Sequence, residues 1–596
     1  MSKLSIQSLT IPAADLGAEN PLAPLAYKEA SRALNYPPDL PDEMVENLAR
    51  GKLSSVYPYT MQDGFDRQLR KREFRAAVLE NEFLRAAFLL DFGGRLWSLL
   101  HKPSGKELLE VNPTLQLANL ALRNAWFSGG VEWNIGTTGH SPFTCSTLFS
   151  CRVEGDRGIN ILRFYEWERF RQTPFQIDAY LPGGSQVLFI RTKIINPNDH
   201  PVPIYWWSNV AVPETPDIRV VVPAKSSYCL GCQPGHLERI DLPVCHGTDI
   251  TYSKQVDQAA DFFFDLEKTA FPWIAALDRD GQGLIQLSSQ EMVGRKLWTW
   301  GSSPGGRNWQ QFLSPRGKGY IEIQSGITTT QLEHRQLLPL ASCSWLEAYG
   351  FMEADPAYVH GDDWECSFQL VDEQVHKLVS PGDLREQHRS GEMISNLTPV
   401  EYFRIGSGWG ALERRRREYF SENPLENEGI EFNEDSLTEL QKPWLTLLES
   451  GVFPEMDADS PFGSFVNCDL WGPLIENSLK KWAANNWFAW YQAGISRYQA
   501  GNWVGAEEAW KRSLAVNWSP WAARNLAILA WKRGQIDQAA NLLVEASNSA
   551  PDVLPLAIEC GACLIRAGRY DDWLHIAEGL PQSLQSNNRI RLLDCS

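Results

Sequence analysis

Gly501-Asn-Trp-Val-Gly-Ala506, Gly534-Gln-Ile-Asp-Gln-Ala539 and Gly568-Arg-Tyr-Asp-Asp-Trp573 recur at intervals of 33 and 34 residues. In each, a glycine that can end a helix is followed five positions later by Ala506, Ala539 or Trp573. Upstream, aromatic and small residues recur as Trp490, Gly494 and Tyr498, then Trp521, Leu526 and Trp531; Pro520 and Pro551 close two of the units. A period of about 34 with a glycine turn describes a helix–turn–helix unit that buries its apolar face only against the next unit. Three units are enough to stack, and none of these residues carries chemistry.

This period is that of the tetratricopeptide repeat, so residues 481–596 are read as an all-α repeat domain. Its expected use is as a protein-docking or homo-oligomerising superhelix, or as a rigid cap on the neighbouring domain. Upstream, residues 367–480 read as a helical connecting region. Trp409–Glu422 has the pattern of an exposed helix, and the stretch Glu439–Pro454 that of a helix ended by Gly451. Residues 54–366 have β texture: short runs such as FLRAAFLLDF, QVLFIRTKII and YIEIQSG lie between turn signals at Asp91–Gly94, Pro182–Gly184 and Arg279–Gly283. Ile274–Leu287 reads as a hairpin. Many short strands over about 300 residues predict a large sandwich rather than βαβ units. Residues 1–53, rich in proline, are expected to pack on the main body as an extension, with one short helix after the Pro-Pro turn in ALNYPPDLPDEMVENLARG.

Composition narrows the function classes. The chain has 596 residues, 55 Lys+Arg against 73 Asp+Glu and a net charge of −18, which argues against a nucleic-acid surface and against docking on anionic lipid. No apolar run is long enough to span a membrane, and the first residues lack a signal-peptide core, so the cytoplasm is the expected location. The 24 Trp supply core area and also flat platforms for sugar rings, and composition alone leaves both uses open. Nucleotide loops and H-E-x-x-H are absent.

Four clusters could carry chemistry. In Phe127-Ser-Gly-Gly-Val-Glu-Trp-Asn134, followed by Gly136-Thr-Thr-Gly-His140, the paired glycines let backbone approach closely. Glu132, Trp133, Asn134 and His140 then suit a sugar as readily as a capped strand with a core tryptophan. On a strand through Gly319–Gly326, Tyr320, Glu322 and Gln324 share one face while Ile321 and Ile323 share the other. Around it stand Trp298, Trp300, Arg307 and Trp309 upstream, and Glu333 and Glu347 downstream. Tyr205-Trp-Trp-Ser-Asn209 offers Asn209 and one of two tryptophans, Trp207, to a cleft. Cys229-x-x-Cys232, with Cys245-His246 and His236 beyond it, resembles half of a zinc site. The reading kept is of reduced thiols near a turn, with no metal and no cofactor.

Gly93-Gly-Arg-Leu-Trp-Ser98, the Phe127–His140 stretch, the Gly294–Glu347 stretch and the repeat tail, in that order, resemble a family of bacterial proteins. That family joins a domain of unknown function to C-terminal tetratricopeptide repeats and is similar to the galactose-mutarotase-like superfamily, whose fold is a β-supersandwich. The resemblance covers most of residues 55–350 plus the tail, and implies a carbohydrate-active domain followed by the repeats. In aldose mutarotases the base is a glutamate in a Leu-Glu-x-Gln strand, which Ile321-Glu-Ile-Gln324 resembles. The acid histidine lies near a His-x-Tyr-Phe-Asn stretch, where this chain has Tyr205-Trp-Trp-Ser-Asn209 without the histidine.

The expected function is therefore a glycoside hydrolase cleaving a small oligosaccharide or glycoside, a small carbohydrate substrate, with Glu132 as acid and Glu322 as base or nucleophile. Glu333 and Glu347 stand in reserve. Trp133, Trp207, Trp300 and Trp309 would stack on rings; Asn134, His140, Asn209, Arg307 and Gln324 would bind hydroxyls. An aldose mutarotase or epimerase, and a non-catalytic sugar sensor that signals through its repeats, are the alternatives.

Overall fold

The computed structural model describes residues 2–25, 35–232, 235–268, 271–315, 319–425, 429–480 and 485–594. Residues 26–34 of the expected extension and 481–484 at the expected start of the repeats lie outside the described residues.

The β half is two stacked sheets, one of twelve strands and one of nine, followed by helices to the C-terminus. This is the expected all-β supersandwich followed by an all-α repeat domain. Apolar residues alternate along the central strands. In Val131–Ile135 the residues Val131, Trp133 and Ile135 join the core between the sheets, and in Tyr320–Gly326 so do Ile321 and Ile323. The remaining residues of those strands stand on the outer face of the twelve-stranded sheet, which is the face that carries the site.

Three sequence expectations need correction. Lys3–Ala13 is more than an extension: it is the edge strand of the large sheet, paired with Arg70–Glu80 over its whole length. Pro12 is tolerated there because an edge strand need not donate on both sides. The expected short helix is Asp42–Ala49. The connecting region contributes a strand, Glu401–Arg404, to the edge of the smaller sheet. Trp409–Phe420 is indeed a helix, but a half-buried one. Arg416 and Arg417 both bond Glu413 at 2.9 Å, and Arg417 reaches Pro197 O and Asn198 Oδ1 in the β half. Lys442–Ser450 ends on Gly451 at φ +76°, as expected.

In the repeats, Gly501, Gly534 and Gly568 adopt φ of +76°, +77° and +71° between paired helices, and Ala506, Ala539 and Trp573 are buried. Positive φ is the conformation glycine takes at least cost. The superhelix is seated on its own chain: Tyr498 Oη donates to Leu25 O at 3.1 Å and Arg524 Nη1 to Ala23 O at 2.6 Å. Among the described residues, no helix is long and apolar enough to cross a membrane.

Candidate functional site

The centre of the site is three neighbouring strands of the large sheet, Val131–Ile135, Trp206–Pro213 and Tyr320–Gly326. Register sets Glu132 opposite Asn209, and Asn209 opposite Gln324, with Glu322 two residues along the same strand. All four side chains leave the same face. The strand bearing Glu132 lies close to its neighbour because Gly130, at φ +69°, would put a Cβ 2.3 Å from Leu96 O. The paired glycines thus serve strand packing rather than ligand approach.

Glu132 is almost fully buried and surrounded by donors. His140 Nδ1 lies 2.7 Å from Oε2, Trp126 Nε1 donates to the same oxygen at 3.1 Å, and Arg95 Nη2 faces Oε1 at 3.4 Å. Burial pushes this carboxyl up, but His140 and Arg95 outweigh it and hold the group down at about 2. An ionised carboxylate only accepts, so His140 donates through Nδ1 and leaves Nε2 unengaged by Glu132. The imidazole packs against Trp126 at 4.6 Å, and its side chain is 21% exposed, against 5% for Glu132.

Glu322 is the opposite case. Burial raises its pKa; the charge of His140 lowers it and that of Glu132 raises it. Asn209 Nδ2 and Gln324 Nε2 both donate to Oε2, at 3.2 and 2.7 Å, which fixes the rotation of the carboxyl without using Oε1. Gln331 bonds Gln324 Oε1 and reaches Asn209 Oδ1 at 3.5 Å, and Lys296 Nζ donates to Gln331 Oε1 at 2.5 Å and pairs with Asp261. The site is thus two carboxyls of unlike character with one imidazole between protein and solvent. A carboxyl held at about 2 is ionised near neutrality, which speaks against the expected role of Glu132 as the acid.

The other expected residues fall in different places. Asn134 stays on the outer face, where its Oδ1 accepts from Ser141 N at 2.7 Å and anchors the His140 loop. Trp207 is on that face too, but under Gly294 and Gly326 and against Phe263, so it fills core rather than a cleft. Trp133 points the other way, between the sheets, 6.3 Å from Trp206 and donating to Gly94 O. Glu347 is also between the sheets, where it accepts from Ser208, Gln286 and Tyr349. Glu333 ties its loop to the N-terminal helix by accepting from Thr330 and Asn47. Arg307 is exposed on the helix Pro304–Leu313 and bonds Ser302 O. Trp300 and Trp309 stack on one another at 5.9 Å on the site's side of the sheet, beside Trp298 and Tyr320.

Arg95, Trp126, Lys296 and Gln331 had no role assigned from sequence, although Arg95 stood in Gly93-Gly-Arg. The signal available was those two glycines, both at positive φ, which turn the chain so that Arg95 faces Glu132. Cys229 and Cys232 are joined in a disulfide, correcting the expectation of reduced thiols.

Residues 51–350, just over half of the chain, match the family described as Domain of unknown function (DUF5107). The chain belongs to this family. Among solved structures, a TPR-domain containing protein from Parabacteroides distasonis is similar at 17% identity and TM-score 0.65, over 99% of this chain and 87% of that one. The shared fold therefore includes both the family's sandwich and the repeats. Over the β half alone, a galactose mutarotase-like protein from Clostridium acetobutylicum matches at 11% identity and TM-score 0.37, over 47% of this chain and 96% of that one. A putative aldose 1-epimerase from Escherichia coli matches at 11% and 0.33, over 46% and 98%.

Proposed function

We propose that the β half is an acid–base catalyst acting at the anomeric centre of an aldose, opening and reclosing the ring. The observation that carries this reading is the pairing of His140, held by ionised Glu132, with the raised carboxyl of Glu322 on the same sheet face. Ring opening needs one group to take the anomeric hydroxyl proton and another to give a proton to the ring oxygen, with no water in the step. Glu322 is the base, its raised pKa making it a stronger base than an ordinary carboxylate. His140 is the acid, with Nδ1 on Glu132 and Nε2 available to the sugar. Asn209, Gln324 and Gln331 supply amides that a sugar's hydroxyls replace or join.

The hydrolase reading is less well supported. Glycoside cleavage asks one carboxyl to attack the sugar or activate water and the other to donate. Glu132 has Oε2 engaged by His140 and Trp126 and Oε1 paired with the Arg95 charge, which supports a role as positioning residue for His140. The test is a panel of aldoses and aryl glycosides followed in parallel by polarimetry and by release of reducing sugar. Anomer equilibration without release supports the proposal. Release that falls ~10²-fold or more in both Glu132→Gln and Glu322→Gln would replace it with the two-carboxylate hydrolase. A thermal shift with sugars but neither activity would replace it with the sensor.

A further inference from the structure

At the far edge of the large sheet, Cys229 on Ala224–Leu230 stands directly opposite Glu238 on Leu237–Asp241, so the two side chains share a side. Cys232 follows two residues beyond the first strand and is disulfide-bonded to Cys229. The two sulfurs and a Glu238 carboxylate oxygen lie within 4.8 Å of one another. Glu238 Oε1 is buried and has no hydrogen-bond partner, an unusual state for a carboxylate oxygen. The next hairpin, Val244–Cys245 with Thr248–Asp249, carries His246 in its turn. Its Nε2 is 3.9 Å from that same Oε1, too far for a hydrogen bond.

His246 lies outside that 4.8 Å group, and its 3.9 Å from Glu238 is slightly longer than the spacing of two ligands on one ion, but its exposed side chain is free to close the gap. Tetrahedral ligands at ~2.3 Å for sulfur and ~2.0–2.2 Å for nitrogen or oxygen stand ~3.3–3.8 Å from each other across the ion. We propose that Cys229, Cys232, Glu238 and His246 form a binding site for a zinc-class divalent cation, opened by reduction of the disulfide. A dithiol supplies the two electrons and two protons. The Cys229–Cys232 bond breaks to two thiols and the reductant closes its own disulfide. Binding of the cation then expels both thiol protons to solvent, and the sulfurs, no longer bonded, move apart to ligand spacing. Two thiolates, a carboxylate and a neutral imidazole complete four-coordination and give the buried oxygen of Glu238 a partner. The ligand types are those that select zinc over magnesium or calcium. In the oxidised form the sulfurs are spent on each other, so only the reduced form joins this hairpin to the His246 turn, through the metal.

The test uses the full-length protein, reduced with dithiothreitol, freed of reductant under anaerobic conditions, and titrated with Co²⁺ and then Zn²⁺. The expected result is one Co²⁺ per chain, a thiolate-to-cobalt charge-transfer band, displacement by Zn²⁺ and a raised thermal midpoint, none of which the oxidised protein shows. Cys232→Ser abolishes the band, Glu238→Gln and His246→Ala weaken binding at least ~10-fold, and Cys245→Ser leaves it intact. Absence of the band in the reduced, folded parent would overturn the proposal, as would its persistence in Cys232→Ser. Loss of the band in Cys245→Ser alone, with His246→Ala unchanged, would overturn the ligand set.

Discussion

Replacing Glu132 by Gln keeps the shape of the side chain and removes its charge. Glu132 is held at about 2 in the fold against an ordinary 4.5, a difference worth about 3 kcal/mol of preference for the ionised form. Deleting one partner of a buried ion pair gives a similar figure, ~3–5 kcal/mol. The folded value is depressed, so this stability is fully present above the unfolded value near 4.5 and is lost as pH falls through about 2. Glu132→Gln is therefore expected to be about 3 kcal/mol less stable than the parent at pH 7, with the gap falling to less than half near pH 3. Amide hydrogen exchange across Val131–Ile135 measures the local opening without requiring the whole chain to unfold in one step. A gap under ~1 kcal/mol at pH 7, or one that does not shrink in acid, would refute the account of Glu132 as an ionised anchor for His140 and Arg95.

Other consequences follow from the same packing. Trp133→Leu removes a ring that lies between the sheets; it should lower the thermal midpoint while leaving turnover per folded molecule intact, as measured by calorimetry and polarimetry side by side. Arg163 bonds Asp178 and the carbonyls of Ile394, Leu397 and Gly429, joining the smaller sheet to the connecting region, so Arg163→Met should cost ~3–5 kcal/mol in urea unfolding. Adding Asp178→Leu should recover part of that loss, because the unpaired carboxylate goes too. A Cβ on Gly494 would lie 2.3 Å from Trp510 Nε1, so Gly494→Ala should destabilise the repeats by ~1–3 kcal/mol, visible as earlier loss of helical circular dichroism with exchange in the β half unchanged. Because the pKa of Glu322 is raised, the acid limb of the activity profile should lie above 4.5, the ordinary carboxylate value, and Glu132→Gln should move it down by removing a like charge.

The repeats could be read because a glycine at positive φ recurs at a fixed period, a purely local signal. The Tyr320-Glu322-Gln324 face was equally legible, since strand alternation needs only neighbours. The same alternation separates Trp133 from Glu132, and applied to that pair it would have sent the tryptophan inside. Glu347 was not legible: its partner Gln286 comes from the paired strand of the same sheet and Ser208 from the facing sheet, so strand pairing and sheet stacking are both needed to assemble them. The role of Glu132 depended on Arg95, brought beside it by the pairing of Leu96 with Val131, and on Trp126, six residues upstream on a strand outside the large sheet. Lys3–Ala13 escaped detection because Pro12 reads as a strand breaker unless the strand is known to be an edge.

The central claim, that Glu322 and His140 share the opening of an aldose ring, is tested most directly by NMR exchange between the anomers of a free aldose. The parent, Glu322→Gln and His140→Asn are compared at one pH, with sugar binding followed in the same samples. The account predicts faster anomer exchange with the parent, a loss of ~10²-fold or more in each variant, and retained binding in both. Exchange unchanged in Glu322→Gln would contradict it.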